Sequence, residues 1–141
     1  MPGGVGLNRD KAVAKGATEG FRARIGGGSR AAGRARNEVT RLKGHLGDAH
    51  VETVRLLVTE LVANAVCHAG AAAVDLVVAI DDDLVRVEVA NRGEPFEARV
   101  GTAGREAGSN WGLFLVERLS DGWGVLDEAG HQRVWFEISR R

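Results

Sequence analysis

The residues best suited to chemistry form a polar strip in the middle of the sequence. Glu60 and Asn64 stand four residues apart, so on a helix they share one edge, and Cys67 and His68 continue near that edge one turn later. The strip borders an apolar stripe, and a polar strip in that position can face a cleft instead of bulk water. An ordinary solvated helix face has the same pattern, so the spacing alone leaves both interpretations open.

Two further groups have features that nucleotide recognition requires. Asn91 and Gly93 follow directly on a predicted strand, where an amide can read a base edge and a glycine lets a ligand approach closely. Gly112 and Leu113 open a predicted helix after a glycine-bearing loop, and the unpaired N–H groups of a helix N-terminus favour phosphate. Ordinary turns use the same residue types, so each group is informative only in combination with the others.

The composition argues against several other kinds of site. Cys67 is the single cysteine, which excludes an internal disulfide and a thiolate metal cage, and the four histidines lack zinc-ligand spacing. Lysine plus arginine, 19, equals aspartate plus glutamate, 19, so the charge predicts neither nucleic acid nor membrane as a partner. No apolar run approaches the roughly 20 residues of a membrane span, and the first residues lack a signal peptide's apolar stretch. We therefore expect a cytoplasmic protein.

The hydrophobic pattern predicts the elements that must position these residues. We expect one domain over residues 21–141, preceded by a mobile, disordered tail at residues 1–20. Residues 21–25 alternate like an edge strand. A first amphipathic helix follows, with Ser29 as its N-cap and its end near Gly47.

The second helix has the clearest helical period in the sequence. Asp48 is its predicted cap, and Ala69-Gly70 is its predicted end. Two strands at 74–80 and 84–89 then flank a polar turn at 81–83. The first of these strands is almost continuously apolar, which predicts burial on both of its faces.

The last part of the chain begins with a long glycine-bearing loop at residues 91–111. A third helix is predicted over 112–119, followed by a hairpin of strands at 123–126 and 133–138 with a turn at 128–130. The order β-α-α-β-β-loop-α-β-β predicts an α+β fold. Its two layers would be a mixed, mostly antiparallel sheet and helices on one of its faces.

In combination, the polar groups resemble the motifs of the GHKL superfamily of ATP-binding proteins, which includes gyrase, sensor kinases and anti-sigma kinases. Residues 60–69 resemble its N-box, residues 87–93 its first glycine box, and residues 112–119 its second. The elements at 123–125 and 134–138 are similar to those of the short, stand-alone anti-sigma kinase branch. The resemblance implies the Bergerat-type nucleotide fold.

The resemblance also implies ATP and Mg²⁺ as ligands. Asn64 would ligate Mg²⁺ through its side-chain oxygen beside the ATP phosphates, and Glu60 would accept the proton of a substrate serine hydroxyl. The further nucleotide-binding residues that it implies are His68, Asn91, Gly93, Arg99, Arg105, Gly108, Asn110, Gly112 and Leu113. Arg99 and Arg105 would belong to an ATP lid, although solvated loop charges explain these two arginines equally well.

Two positions depart from the family pattern. Asn91 stands where the family usually has an aspartate that accepts from the adenine amino group, so we expect weaker ATP binding and poorer discrimination against GTP. Asn110 stands where the second glycine box often begins with glycine. Asparagine tolerates a left-handed backbone, so the turn can still form, but its side chain could crowd a phosphate.

The function implied by the resemblance is a serine/threonine protein kinase that binds a sigma factor and phosphorylates a STAS-domain antagonist. A homodimer is implied as well, and Arg30, Arg34 and Arg36 on the first helix are candidates for a partner face. The alternative, favoured by Asn91 and Asn110, is a nucleotide-dependent binding switch without transfer activity. The catalytic module of a histidine kinase is a weaker expectation, because the sequence shows no phosphoacceptor helix pair.

Overall fold

The computed structural model describes residues 19–67, 71–92, 107–128 and 131–140. In chain order its elements are β1 (Glu19–Gly26), α1 (Ala31–Val39), α2 (Asp48–Cys67), β2 (Ala73–Ile80), β3 (Leu84–Arg92), α3 (Ala107–Leu119), β4 (Gly122–Glu128) and β5 (His131–Ser139). This is the predicted order of helices and strands. The predicted tail lies outside the described residues, except that β1 already begins at Glu19.

The strands form one five-stranded sheet in the order β1-β2-β3-β5-β4. All four pairs between these strands are antiparallel. Alternate strand residues join the core that α1, α2 and α3 cover, so the helices lie on one face of the sheet. The predicted α+β class and two-layer arrangement are therefore confirmed, and β1 is an edge strand as expected.

The apolar stripe of α2 forms the centre of the core. Its members are all buried: Val54, Leu57, Val58, Leu61, Val62 and Ala65. They pack against alternate residues of β2, β3 and β5, of which Phe136 is the largest fully buried side chain. Burial of a side chain of this size stabilises the fold by about 1.5–3 kcal/mol. The helical period of this segment was therefore a correct indication of which face is buried.

Burial along β2 differs from the prediction. Its residues alternate between buried and half-buried from Ala73 to Ile80, so only one face of the strand belongs to the core. The prediction of burial on both faces is wrong because the second face carries no helical layer. Small and β-branched residues such as Val77 and Ala79 are tolerated there, since the face is half-covered by the side chains of neighbouring strands.

Three helix boundaries also differ from the predictions. The residue before α1 is Arg30, which makes no side-chain capping bond, so the prediction of Ser29 as the cap is wrong. The helical part ends in a short 3₁₀ turn at Thr40–Leu42 and does not reach Gly47, because Lys43 is already extended with a ψ of 135°, and Gly44 then adopts a positive φ of 93°. Asp48 is the first residue of α2 itself, where its negative charge favours the helix dipole.

The predicted end of α2 at Ala69-Gly70 lies outside the described residues, and so does most of the turn predicted at 128–130. None of the helices in the described ranges combines the length and the apolar character needed to cross a bilayer.

Candidate nucleotide site

The second helix presents Glu60 and Asn64 at the rim of the helical layer. Each side chain is half-buried and adjoins a buried residue of the core stripe, Leu61 in one case and Ala65 in the other. Both α1 and α3 pack against α2, so the helix has a neighbour on each side. The polar edge predicted from the spacing therefore faces an adjoining helix and not only bulk water.

Helix α3 meets this polar edge through Gly112. A Cβ atom added to Gly112 would lie 2.8 Å from Nδ2 of Asn64 and 3.6 Å from Cβ of Glu60. The backbone of α3 therefore approaches both side chains closely, and residues 52 positions apart in sequence meet at one point. Leu113 follows and packs against the core, while Val116, one turn later, is fully buried and anchors the helix.

The start of α3 contradicts the prediction that a helix N-terminus lies at Gly112. The helix begins at Ala107, so Gly112 lies in its second turn and its N–H is not at the helix end. Gly108 and Asn110 instead belong to the first turn, where N–H groups lack intrahelical partners. The sequence pattern misplaced this boundary because glycine has low helix propensity, whereas here a glycine is what allows α3 to pack on α2.

Asn91 lies near the end of β3, on the core side of the sheet. It is opposite Val74 of β2 and only 7% exposed. Among the described residues, only Asn91 and Arg86 are polar or charged and buried. A buried amide can both donate and accept hydrogen bonds, so its position suits recognition of a base edge.

Four of the residues expected in the site, His68, Gly93, Arg99 and Arg105, lie outside the described residues. Of the others, the structure brings Glu60, Asn64 and Gly112 into contact. Leu113 contributes to the core.

Comparison with known proteins identifies the family. The family model of the histidine kinase-like ATPase domain matches residues 29–137, a span that includes Glu60, Asn64, Asn91 and Gly112. The chain belongs to this family. The predicted resemblance to HATPase domains of the GHKL type is thereby confirmed, and ATP is the ligand that such a domain implies.

Two solved structures are similar to this ATPase domain in fold. One contains the RsbU and RsbW domains of a Mycobacterium tuberculosis protein, with a TM-score of 0.67, 20% identity, and 87% of this chain and 33% of that chain covered. The other is the SiaB–SiaC complex from Pseudomonas aeruginosa, with a TM-score of 0.56 and 11% identity. The match covers 94% of this chain and 96% of that chain. The chain thus spans about a third of the first of these proteins. No curated protein matches its sequence.

The oxygen donors of the ATPase domain fit a magnesium ion that is shared with phosphates. The described residues include no group of three or more His, Cys, Asp or Glu side chains that could hold a metal by themselves. Mg²⁺ usually takes one or two protein oxygens and completes its shell with phosphate and water. The amide of Asn64 and the carboxylate of Glu60, one helical turn apart on α2, are a donor set of that kind.

The three arginines just before and within α1 differ in their exposure. Arg36 is half-buried, and its Nη1 donates to Oγ1 of Thr59, next to Glu60, at 3.4 Å. Arg30 and Arg34 are exposed and line a cavity of about 220 Å³ together with residues 26–29 and Ala31. Of the three arginines expected on a partner face, Arg30 and Arg34 are thus exposed and Arg36 is half-buried.

Arg86 is the buried charge that sequence reasoning missed. It is 3% exposed in the middle of β3, on the face of the sheet away from the helices, and its Nη1 pairs with Glu137. The available signal was an arginine between valines in a strand, with acidic residues at Glu88 and Glu137. A strand was predicted at residues 84–89, with no role assigned to its arginine.

Proposed function

We propose that this ATPase domain is an ATP-dependent serine/threonine protein kinase of the anti-sigma-factor type. The observation that carries the proposal is the meeting of Glu60 and Asn64 with Gly112 at the contact between α2 and α3. Phosphoryl transfer needs a proton acceptor and a magnesium ligand close together, and this contact provides a carboxylate and an amide one helical turn apart. The family supports ATP as the phosphoryl donor.

In the proposed complex the nucleotide lies between the sheet and the two helices. The amide of Asn91 binds the adenine edge, and Asn64 supplies the protein oxygen to Mg²⁺. Gly108 and Asn110 lie in the first turn of α3, where free N–H groups and the helix dipole favour phosphate. The remaining residues of the proposed site are His68, Gly93, Arg99, Arg105, Gly112 and Leu113.

The proposed reaction is transfer of the γ-phosphoryl group to a serine of a second protein. Glu60 accepts the hydroxyl proton while the serine oxygen bonds to the γ-phosphorus. The bond from that phosphorus to the bridging oxygen breaks, and ADP leaves with the electron pair. Mg²⁺, when bound, would neutralise part of the phosphate charge.

The proposed partners are a sigma factor and a STAS-domain antagonist, bound by a homodimer in the cytoplasm. The similar structures support a role in partner binding, since one is a complex of SiaB with SiaC and the other joins an RsbW domain to an RsbU domain. Arg30 and Arg34 are exposed beside a cavity and are the side chains that we propose for a partner contact.

The first test is ATP binding by calorimetry, with and without Mg²⁺. We expect Mg²⁺-dependent binding by the wild type, lost in Asn64→Ala and retained in Asn37→Ala, an exposed asparagine on α1. Absence of ATP binding by the wild type would overturn the proposal.

The second test is transfer of labelled phosphate to a serine of a STAS-domain protein. Glu60→Gln should bind ATP but transfer at least about 100-fold more slowly, the usual contribution of a general base. Glu52→Gln, which changes an exposed carboxylate on the same helix, should transfer normally.

The alternative is a nucleotide-dependent binding switch without transfer activity. It is favoured by Asn91, a buried amide where related kinases usually have a carboxylate, and by Asn110 in the first turn of α3. Binding of ATP together with no label on any serine would identify the switch.

A further inference from the structure

Gly112 lies inside α3, although glycine is unfavourable within a helix. We attribute its presence there to the close approach of Asn64 on α2. The position that a Cβ would occupy is 2.8 Å from Nδ2 of Asn64, closer than real Cβ contacts come. Any side chain would therefore have to displace either the Asn64 amide or α3 itself. The contact is made to a side chain whose own helix is anchored by a buried apolar stripe, so α2 has little freedom to move away from α3.

The same distances show how the Asn64 amide is turned. The heavy atoms nearest to the Cβ position are Nδ2 of Asn64 at 2.8 Å, Cβ of Glu60 at 3.6 Å and Cγ of Asn64 at 3.7 Å. Oδ1 of Asn64 is therefore farther away than its own Cγ. The nitrogen of the amide faces α3, and the oxygen faces away from it.

We infer that Gly112 is a positioning residue that sets the orientation of the Asn64 amide. Its missing side chain lets α3 close against the amide nitrogen, and the oxygen, which ligates the cation in the proposed function, faces away from α3. Rotation of the amide by half a turn would present N–H groups, which repel Mg²⁺. The role in metal binding rests on the proposed function, whereas the steric contact between the two residues does not.

Gly112→Ala tests the contact, and Gly33→Ala is its matched control. Both changes replace a helical glycine by alanine and raise helix propensity, but a Cβ at Gly33 would meet only Nη2 of Arg36, at 3.6 Å. We expect Gly33→Ala to keep or raise the Tm and Gly112→Ala to lower it by about 5 °C or more. An unchanged Tm of Gly112→Ala would overturn the inference.

A double variant separates the contact with Asn64 from a general disturbance of α3. In Asn64→Ala the amide is absent, so adding Gly112→Ala should lower the Tm much less than it does in the wild type. An equal loss in both backgrounds would show that the alanine meets something other than the amide and would overturn the inference. If Gly112→Ala does not fold, folding of the double variant supports the inference and its failure overturns it.

Measuring ATP affinity with and without Mg²⁺ tests the proposed orientation of the Asn64 amide. For Gly112→Ala we expect ATP affinity in Mg²⁺ to fall at least about tenfold, while ATP affinity in EDTA changes less than about twofold. Gly33→Ala should match the wild type in both conditions. Equal losses in Mg²⁺ and in EDTA would overturn the orienting role. If the wild type does not bind ATP, the proposed function fails, and the stability cycle, which uses no nucleotide, still decides the contact.

Discussion

The guanidinium carbon of Arg86 lies 4.1 Å from the centroid of the Trp135 ring, on the face of the sheet that carries no helix. The two residues are 3% and 8% exposed, which is unusual for a face without a second layer. Glu137 pairs with Arg86 directly across β3 and β5, and Glu88 lies 3.9 Å away on the same strand. Long side chains lying flat on the sheet thus take the place of a covering helix.

Arg86→Ala should lower the free energy of unfolding by about 2–3 kcal/mol. Breaking a buried ion pair costs about 3–5 kcal/mol, and the cost is reduced here because Glu137 is 26% exposed and can reach water. Arg86→Met keeps the packing under Trp135, so its free energy of unfolding should fall less than that of Arg86→Ala. Urea denaturation measures both variants, and a loss below about 0.5 kcal/mol for the alanine variant would contradict a structural role for the pair.

Gly124→Ala should destabilise the domain through Trp135. A Cβ at Gly124 would lie 2.6 Å from Nε1 and 2.8 Å from Cε2 of the indole, so the ring would have to leave its place over β4. Overpacking of this kind costs about 1–3 kcal/mol. Gly122→Ala is the control, because a Cβ there would meet only Oε1 of Glu137 at 3.5 Å. Thermal unfolding should separate the two variants, and equal Tm values would contradict the prediction.

Asn91→Asp should bind ATP more tightly and discriminate more strongly against GTP. A carboxylate accepts a charge-assisted bond from the adenine amino group, worth about 1 kcal/mol more than a neutral one, or about fivefold in affinity. A carboxylate cannot donate to the guanine carbonyl, so GTP should not gain. Without nucleotide the variant should be less stable than the wild type, because Asn91 is only 7% exposed and a charge there is costly to bury.

Competition calorimetry measures the ATP:GTP ratio of affinities for this variant. Asn37→Asp, on the exposed surface of α1, should leave the ratio unchanged. The same ratio in Asn91→Asp and the wild type would refute a role for Asn91 in reading the base.

Arg140→Ala should destabilise the domain without changing its affinity for ATP. Nη1 of Arg140 donates to the carbonyl of Asp81 at 2.7 Å, and its Nε donates to the carbonyl of His45 at 3.0 Å. Loss of two such bonds at a partly buried site costs about 1–3 kcal/mol. Arg22→Ala, on the exposed side of β1, should cost less than about 0.5 kcal/mol. Chemical denaturation measures the free energy of unfolding of both variants. Equal losses in Arg140→Ala and Arg22→Ala would contradict a stabilising role for the two hydrogen bonds of Arg140.

The parts of the fold that could be predicted were those determined by local chemistry. The turn between β2 and β3 follows from Asp81, whose carboxylate accepts from the N–H groups of Asp83 and Leu84, each at 2.8 Å. The buried face of α2 was predicted from the helical period of its apolar residues. The spacing of Glu60 and Asn64 correctly indicated a shared helix edge, though only the fold could show which helix meets that edge.

The features that escaped prediction depend on contacts between distant segments. The start of α3 was misplaced because the packing of Gly112 on Asn64 outweighs the helix propensity of glycine, and propensity is the only term visible in the sequence. Arg86 was not recognised because its partner Glu137 lies 51 residues away and becomes its neighbour only through the pairing of β3 with β5.

The contact between Asn64 and Gly112 joins two parts of the chain that are separated in sequence by β2 and β3. The site therefore exists only while α3 is docked on α2, and a ligand held by both helices binds the folded chain alone. Such a ligand raises the free energy of unfolding by about 2.7 kcal/mol at a concentration one hundredfold above its Kd. Under the proposed function, the concentration of ATP would thus govern how far the domain as a whole resists unfolding. Resistance to heat and to proteolysis would then report nucleotide occupancy without any assay of the reaction.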